Sequence, residues 1–575
     1  MTKIKKLESN HLNILMLWIT MSCLSVVILF LETRRVIALF DFSYYTDIAV
    51  RINEGQFPYV DIPMFANPGS YLQIAAVLRW FPGSYIAIFL MMAVQSIVCC
   101  AFVIGIATVK SKGLSVVKSV LLYVCVFPVG IINIYSLFHQ PYYDSDAILW
   151  VIVGIFCLTY IWGFKKQSSP SRFSLLLVGV VLGAPYIYKQ TFGLAWIAAL
   201  GVFGTVCVVF VPQLRSYLFL IFSGMVILFG IFFLWLFGNN AIGNWIELTI
   251  KIPMKTRNTS PKLLFDWLGP KQSFVLGVIL ISFIWVCLSK LLKLNRNWSA
   301  LVLWLAAPVA AFWEVFFRLY ANRILNVSGV WAEWLPATLF LWVAGFIFVA
   351  IGGPNWSVWD SISIAASASI AAGLLAQGYY GSSHAIWPLV FVLFVIAYSK
   401  ILESETSRGF LLGALAPVLL TVFLLSSLIS LQRYNWIYTD QPIGQRTAAF
   451  AWVGTPGSSL QETEIAAKLF NLYSKKGRTA VFPGQEPVAF LTGHAPKGDV
   501  SSSDPTTNLH YNEMNIWLDH WKIDFVIVRE DDQSSDRNAF LVDAIRNKML
   551  EKKFEIAEVE EPFLVLQRKI GKLSP

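Results

Sequence analysis

Runs of about 20 mostly apolar residues recur from about Asn13 to about Leu431, and each is long enough as a helix to cross about 30 Å of hydrocarbon. No other feature constrains the fold as tightly. A mean hydropathy of +0.63 with only 14% charged residues removes the ordinary soluble multidomain chain from consideration. The first run follows Lys3, Lys5 and Lys6 with no A-x-A-like cleavage site behind it, so it reads as an uncleaved helix that keeps its lysines in the cytoplasm. Later spans fall at about 84–108, 114–133, 146–164, 173–187, 191–211, 216–237, 272–293, 299–319, 335–351, 360–376, 384–398 and 409–431, which makes about thirteen.

Loop charge gives an independent check on that count, because short cytoplasmic loops hold the Lys/Arg excess. Lys110, Lys112 and Lys118, then Lys165, Lys166 and Arg172, then Lys290, Lys293 and Arg296 all fall inside. Arg34 and Arg35, and the basic loop from Lys251 to Lys271, fall outside and run against the rule. The formal charge of +10 suits an anionic lipid surface better than nucleic acid, since the cations sit mainly in membrane loops. All seven cysteines lie in or beside apolar spans, so neither a disulfide framework nor a cysteine zinc site is implied.

From about Gln432 the composition turns to mixed charge, and span parity puts this tail outside the cytoplasm. Helical spacing covers 461–473 and 537–550, buried strands are expected at 479–482 and 524–528, and 554–557 with 563–566 would form a hairpin around Glu561-Pro562. The expected architecture is therefore a polytopic α-helical membrane part, 1–431, followed by a soluble α/β domain, 432–575. His494, His510 and His520, with Glu513, Asp519 and Asp524 nearby, lack the spacing of a metal motif and read as surface or packing residues.

Chemistry concentrates in the outward loops. The first holds Asp41, Tyr44, Tyr45 and Asp47, then Gly55, Pro58, Tyr59 and Asp61. On a helix Tyr44, Tyr45 and Ile48 share the face of Asp41, whereas Asp47 is turned about 120° away. A carboxylate at a membrane exit beside rings able to stack on a sugar is placed to take a proton from a hydroxyl. The competing reading is an interfacial helix with solvated acids and a tyrosine belt. The second loop carries Asp144 and Asp146, and Asp146, at the mouth of the fourth span, faces a cavity or partner or caps the helix, two roles that are compatible. In the third turn, Lys189 separates two spans, and it either supplies positive charge to a leaving phosphate or snorkels to the interface. Lys255, Arg257, Lys262, Arg318, Arg323 and His384 are further outward candidates. There is no Walker A sequence, Gly-rich dinucleotide loop or complete zinc motif.

The first loop resembles that of the GT-C superfamily of polyprenyl-phosphate-sugar glycosyltransferases, in particular its bacterial branch related to protein mannosyltransferases and aminoarabinose transferases. Asp41, Tyr44, Tyr45, Asp47, Ile48, Ala49, Gly55, Pro58, Tyr59 and Asp61 match the family pattern, and Phe42 stands where that pattern commonly has Glu. Asp146 resembles the family's second acid, with Asp144 an additional one; Lys189 to Thr191 resembles its short polar turn after the paired spans, and Ser383 to Pro388 is similar to a late span opening in which an aromatic or His precedes a Pro. The resemblance implies sugar transfer from a polyprenyl-phosphate donor to a glycan, lipid or protein acceptor at the outer face of the cytoplasmic membrane. It implies catalytic roles for Asp41 and Asp146, and substrate contacts for Tyr44, Tyr45, Asp47, Tyr59, Asp61, Asp144, Lys189 and His384. A divalent cation is left open, because carboxylates without a ligand cluster define no metal site. The alternative is a lipid or glycan transporter, which needs acids and cations deep within spans.

Overall fold

The computed structural model describes residues 2–33, 39–135, 140–163, 170–210, 215–251, 272–292, 386–404, 457–482, 487–496, 522–529 and 554–569, with seven scattered positions between 302 and 341. Up to residue 404 the described helices run α1 (Thr2–Thr33), α2 (Leu39–Asn53), α3 (Gly69–Trp80), α4 (Tyr85–Ser111), α5 (Val116–Val126), α6 (Tyr143–Gly163), α7 (Arg172–Tyr188), α8 (Gln190–Phe210), α9 (Arg215–Gly238), α10 (Ile242–Ile246), α11 (Gln272–Leu291) and α12 (Trp387–Ser404). Among the described residues four helices are long and apolar enough to cross a membrane: Leu12–Leu31 of α1, Tyr85–Ser111, Tyr143–Ile161 of α6 and Arg215–Gly238. On α9, Phe219, Phe222, Leu234 and Phe237 stay exposed, a surface that only an apolar medium tolerates along a whole helix. The chain is a helical membrane protein.

Helix starts follow local chemistry. Ser115 accepts from the Lys118 amide ahead of α5, and Ser171 accepts from the Ser174 amide ahead of α7, each satisfying one amide that the first helical turn leaves without a partner. Pro185 lies one turn from the end of α7, after which Lys189 turns extended (φ −143°, ψ 112°) before α8 begins. That single non-helical residue breaks what would otherwise be one long helix.

The contacts fall into two compact units. The first holds Met1–Glu32, Met92–Trp235 and Arg257–Ile437. Within it α6, α7 and α8 pack in sequence. Close approach is set by glycine: a Cβ on Gly179 would lie 1.9 Å from Ile221 O on α9, and one on Gly224 would lie 2.0 Å from Leu176 O on α7. Small residues at a membrane helix crossing let the backbones meet in this way.

The second unit holds Thr33–Met91, Leu236–Thr256 and Tyr438–Pro575. Its tail elements are α13 (Gly457–Tyr473), β1 (Thr479–Phe482), α14 (Val488–Thr492), β2 (Phe525–Arg529), β3 (Phe554–Glu560) and β4 (Phe563–Arg568). The sheet order is β1-β2-β4-β3, with β1 parallel to β2 and the other pairs antiparallel. β2 is buried over Phe525–Val528, as a central strand covered on both faces should be. Leu469, Phe470 and Tyr473 of α13 pack on Ile527, Phe563 and Val565 to form the core. β3 keeps Glu555 and Glu558 on the open edge, a placement that discourages pairing with another chain.

Arg34, Arg35, the Asp41 side chain, Lys255, Arg257, Lys262, Arg318, Arg323, His384, His510, Glu513, Asp519 and His520 lie outside the described residues. So do the expected helix at 537–550 and most of the expected spans at 299–319, 335–351, 360–376 and 409–431.

Candidate active site

In the second unit, Asp41 sits in the first turn of α2. The residue after it, Phe42, is fully buried, with its ring 5.5 Å from that of Tyr85 and 5.0 Å from that of Phe490 in α14. The apolar side chain at this position is thus a packing anchor between α2 and the tail. Tyr45 stacks on Tyr71 at 5.2 Å and 19°, and Tyr44 meets the Tyr71 ring edge-on at 6.0 Å. Tyr45 is buried whereas Tyr44 is half-buried, so Tyr44 is the more accessible of the two predicted sugar-contacting rings.

The far end of α2 is locked by Arg51. Its Nε donates to Asp47 Oδ2 at 2.9 Å, Nη1 to Gln56 Oε1 at 3.4 Å and Nη2 to the Pro496 carbonyl at 2.6 Å. Both Asp47 and Arg51 are buried. Burial raises the Asp47 carboxyl above its ordinary range while Arg51 pulls it back, so the charged pair holds only as a pair. Glu54 Oε1 extends the same seam, accepting from the Ala495 amide at 3.1 Å with His494 Nδ1 at 3.4 Å. Asp47 is therefore engaged in fastening α2 to residues 494–496.

The loop after α2 is held just as firmly. Gly55 takes φ +86°, and Tyr59, unusually for a residue with a side chain, takes φ +68°. Asp61 Oδ2 accepts from the Phe57 amide at 2.7 Å, and the buried Tyr59 donates its hydroxyl to Ala66 O at 2.9 Å. From α10, Asn244 donates to Tyr59 O and Trp245 to Asn67 Oδ1, each at 2.9 Å. These bonds over-determine the left-handed turn at Tyr59, which is the condition for such strain to persist.

The first unit gathers Asp144, Asp146 and Lys189. Because α6 begins at Tyr143, Asp146 lies inside its first turn and donates its own amide to Tyr142 O. The capping role open in the sequence is thereby ruled out. Asp146 Oδ1 instead accepts from Gln95 Nε2 at 2.8 Å and lies 2.6 Å from Tyr135 Oη. That phenol also sits 2.8 Å from Gln95 Oε1, and with one proton to give it donates to the carboxylate, the stronger acceptor. Burial, then the Asp146 charge, holds the Tyr135 phenol well above its usual range, so it remains a donor.

Tyr135 is in turn positioned by its own loop. Asn133 donates to Ser96 O at 3.0 Å and accepts from the Ile134 amide at 2.7 Å, and Ser145 donates to Ile134 O at 2.8 Å. Neither Gln95 nor Tyr135 was singled out from the sequence. Gln95 carried a signal, as a polar side chain within an apolar span. Tyr135 carried none, because its role depends on a loop returning to α4 and α6.

Lys189 forms an ion pair with Asp144, and its ammonium lies 4.8 Å from the centre of the Tyr143 ring. Only 5% of the lysine and 2% of the aspartate is exposed, so Lys189 does not snorkel. Tyr142 and Tyr143 stack at 4.9 Å and 22°. A cation, two carboxylates and two stacked rings thus occupy the α6 entry and the α7–α8 break. Among the described residues no three His, Cys, Asp or Glu converge as a metal set.

No protein-family model matches the chain, and no curated protein sequence does. Among solved structures it is similar to ArnT from Cupriavidus metallidurans bound to undecaprenyl phosphate, at 12% identity over 95% of this chain and 97% of that one, with a TM-score of 0.47. It is also similar to the Archaeoglobus fulgidus oligosaccharyltransferase tethered to an acceptor peptide containing the NVT sequon, at 11% identity over 94% of this chain and 72% of that one, TM-score 0.47. At such similarity the residues of this chain must carry the functional case themselves.

Proposed function

We propose that this chain is a GT-C glycosyltransferase of the cytoplasmic membrane that moves a sugar from a polyprenyl-phosphate carrier to a glycan, lipid or protein acceptor on the outer face. The observation that carries the reading is the buried group of Asp144, Asp146 and Lys189 at the mouths of membrane helices. Ionisable groups at that depth are costly to keep and are ordinarily functional. The first-loop motif headed by Asp41 supports the same reading, and its helix is held by a built frame rather than left as a loose interfacial segment.

In the proposed reaction Asp41 takes the proton of the acceptor hydroxyl, whose oxygen bonds to the anomeric carbon. The bond from that carbon to the phosphate oxygen breaks on the opposite side, so the configuration inverts. The departing phosphate takes the electron pair and moves toward Lys189, whose ammonium Asp144 and the Tyr143 ring hold in place. Asp146 and Asp61 orient donor and acceptor, with Tyr44 and Tyr45 as sugar contacts. Base catalysis of this kind supplies about 10²–10⁴-fold in rate. In this reading residues 1–431 form the catalytic membrane domain with a cytoplasmic N-terminus, and 432–575 form an extracytoplasmic α/β domain.

The test compares surface glycans and polyprenyl-phosphate sugars by mass spectrometry in a deletion strain carrying the wild-type gene or Asp41→Asn. Wild type should restore one glycan modification, while Asp41→Asn, inserted at equal level, should leave it missing with the donor accumulated. Full restoration by Asp41→Asn would remove Asp41 as the base. Movement of a sugar-lipid across vesicles with no new glycosidic bond would favour the transporter.

A further inference from the structure

A second site lies at the other end of the first unit, among α1, α4 and α5. There a cavity of about 700 Å³ is lined by Asn13, Ile14, Leu17, Thr108, Ser111 and Lys112, then by the α4–α5 turn and α5 to Phe127. Its size falls in the ~300–1,000 Å³ range of small-molecule and cofactor sites. The lining is divided by chemistry. Ile14, Leu17, Val116, Val120, Val124 and Phe127 form apolar walls, and Val116 and Val120 are more than half exposed. The cavity is therefore open at its side to the medium around α5, which beside membrane helices is lipid.

The other part of the lining is polar. Tyr123 donates its hydroxyl to Thr108 Oγ1 at 3.2 Å and lies 3.4 Å from Ser111 Oγ, while Ser111 donates to Thr108 O at 2.9 Å. Lys112 lines the same end and is exposed. Val116 and Ser119 belong to the first turn of α5, the positive end of that helix. By loop charge this end, with Lys110, Lys112 and Lys118, faces the cytoplasm.

We propose that this cavity binds an anionic phospholipid of the cytoplasmic leaflet, its phosphate at Lys112 and the start of α5, and its acyl chain against Ile14, Leu17, Val120 and Val124. Thr108, Ser111 and Tyr123 donate their own protons to Ile104 O, Thr108 O and Thr108 Oγ1, so their oxygens accept from hydroxyls of the headgroup. Basic pockets between membrane helices on the cytoplasmic side select anionic headgroups by this combination of charge and apolar wall. The site uses none of the residues assigned to sugar transfer.

The test uses the full chain in phosphatidylcholine vesicles holding a small fraction of phosphatidylglycerol with a photoreactive acyl chain, and cross-linked peptides are located by mass spectrometry. Cross-links should concentrate in 13–17 and 116–127, fall on addition of unlabelled phosphatidylglycerol, and persist with inorganic phosphate. Lys112→Gln should lower capture about fivefold, and Ser119→Trp should abolish it by filling the cavity. Lys251→Gln, an exposed lysine on a different segment, should leave capture unchanged. Equal capture of a photoreactive phosphatidylcholine, loss to inorganic phosphate, or undiminished cross-linking in both Lys112→Gln and Ser119→Trp would each overturn the assignment.

Discussion

The ion pair between Lys189 and Asp144 separates two explanations of a buried lysine. Either the pair only fills a gap between helices, or Lys189 is held there for a phosphate. Lys189→Met strands a carboxylate and Asp144→Leu strands an ammonium, and breaking a buried pair from one side costs about 3–5 kcal/mol. The Asp144→Leu cost should sit at the lower end, because the Tyr143 ring 4.8 Å from the ammonium returns about 0.5–2 kcal/mol. The double variant removes both charges, and an apolar replacement of a buried pair is close to neutral. Its unfolding midpoint in lipid nanodiscs should therefore recover most of what either single variant loses, so that the coupling approaches the sum of the two single losses. Turnover should not recover with it. A donor that stabilises charge developing in the transition state is worth about 10²–10³ in rate, so the stable double variant should transfer sugar about 10²–10³-fold more slowly. Wild-type turnover in the double variant would refute the phosphate role. Single variants as stable as the double would refute the buried pair itself.

Three further outcomes are expected. Gly224→Val drives a side chain into Leu176 O, which a Cβ alone would approach to 2.0 Å; the α7–α9 crossing should lose about 1–3 kcal/mol or more, while Gly230→Val, whose Cβ has nothing within 4 Å, should leave the midpoint unchanged. In the tail, Tyr473 donates to Glu558, and burial, then that carboxylate, pushes its phenol up to about 12. The folded state thus holds this proton more tightly than the unfolded chain, whose tyrosines titrate near about 10. Its contribution to stability is present below pH ~10 and is lost as the pH rises to about 12, a limb that Tyr473→Phe should flatten in unfolding titrations. Tyr135→Phe deletes a buried donor to Asp146, and at about 1.5–3 kcal/mol for a bond to a charged group turnover should fall roughly tenfold or more if Asp146 orients substrate. Unchanged turnover would detach Asp146 from the reaction.

What the sequence disclosed divides by the range of the forces involved. The spans read at 84–108, 146–164, 173–187, 191–211 and 216–237 correspond to α4, α6, α7, α8 and α9 within a few residues, because apolar length against bilayer thickness is a local property. The strands expected at 479–482 and 524–528, the second observed one residue on at Phe525–Arg529, and the final hairpin were likewise visible in short apolar runs and a Pro-bearing turn. α3 was not, since Gly69–Trp80, packed against α2, is too short to register as a membrane span. At the site, residue types could nominate Asp144, Asp146 and Lys189 from their position at span mouths. They could not reveal that Lys189 answers Asp144, or that Asp146 answers Gln95 and Tyr135, because those partners are brought together by helix packing and a returning loop.

The same distinction bears on Asp41. Sequence alone joins it to the membrane part, but the helix that carries it packs elsewhere. Phe42, the next residue, lies against Phe490. Ten residues along from Asp41, Arg51 spans Asp47 and the Pro496 carbonyl, and Glu54 holds the amide of Ala495. Each of these ties α2 to the C-terminal segment across more than 400 residues of chain, and Thr33–Met91 accordingly falls in one compact unit with Tyr438–Pro575. A carboxylate that must take a hydroxyl proton has to be held within about 0.5 Å of its productive position, which needs a rigidly held helix. The C-terminal segment supplies that rigidity to α2, and so is part of what positions the proposed base.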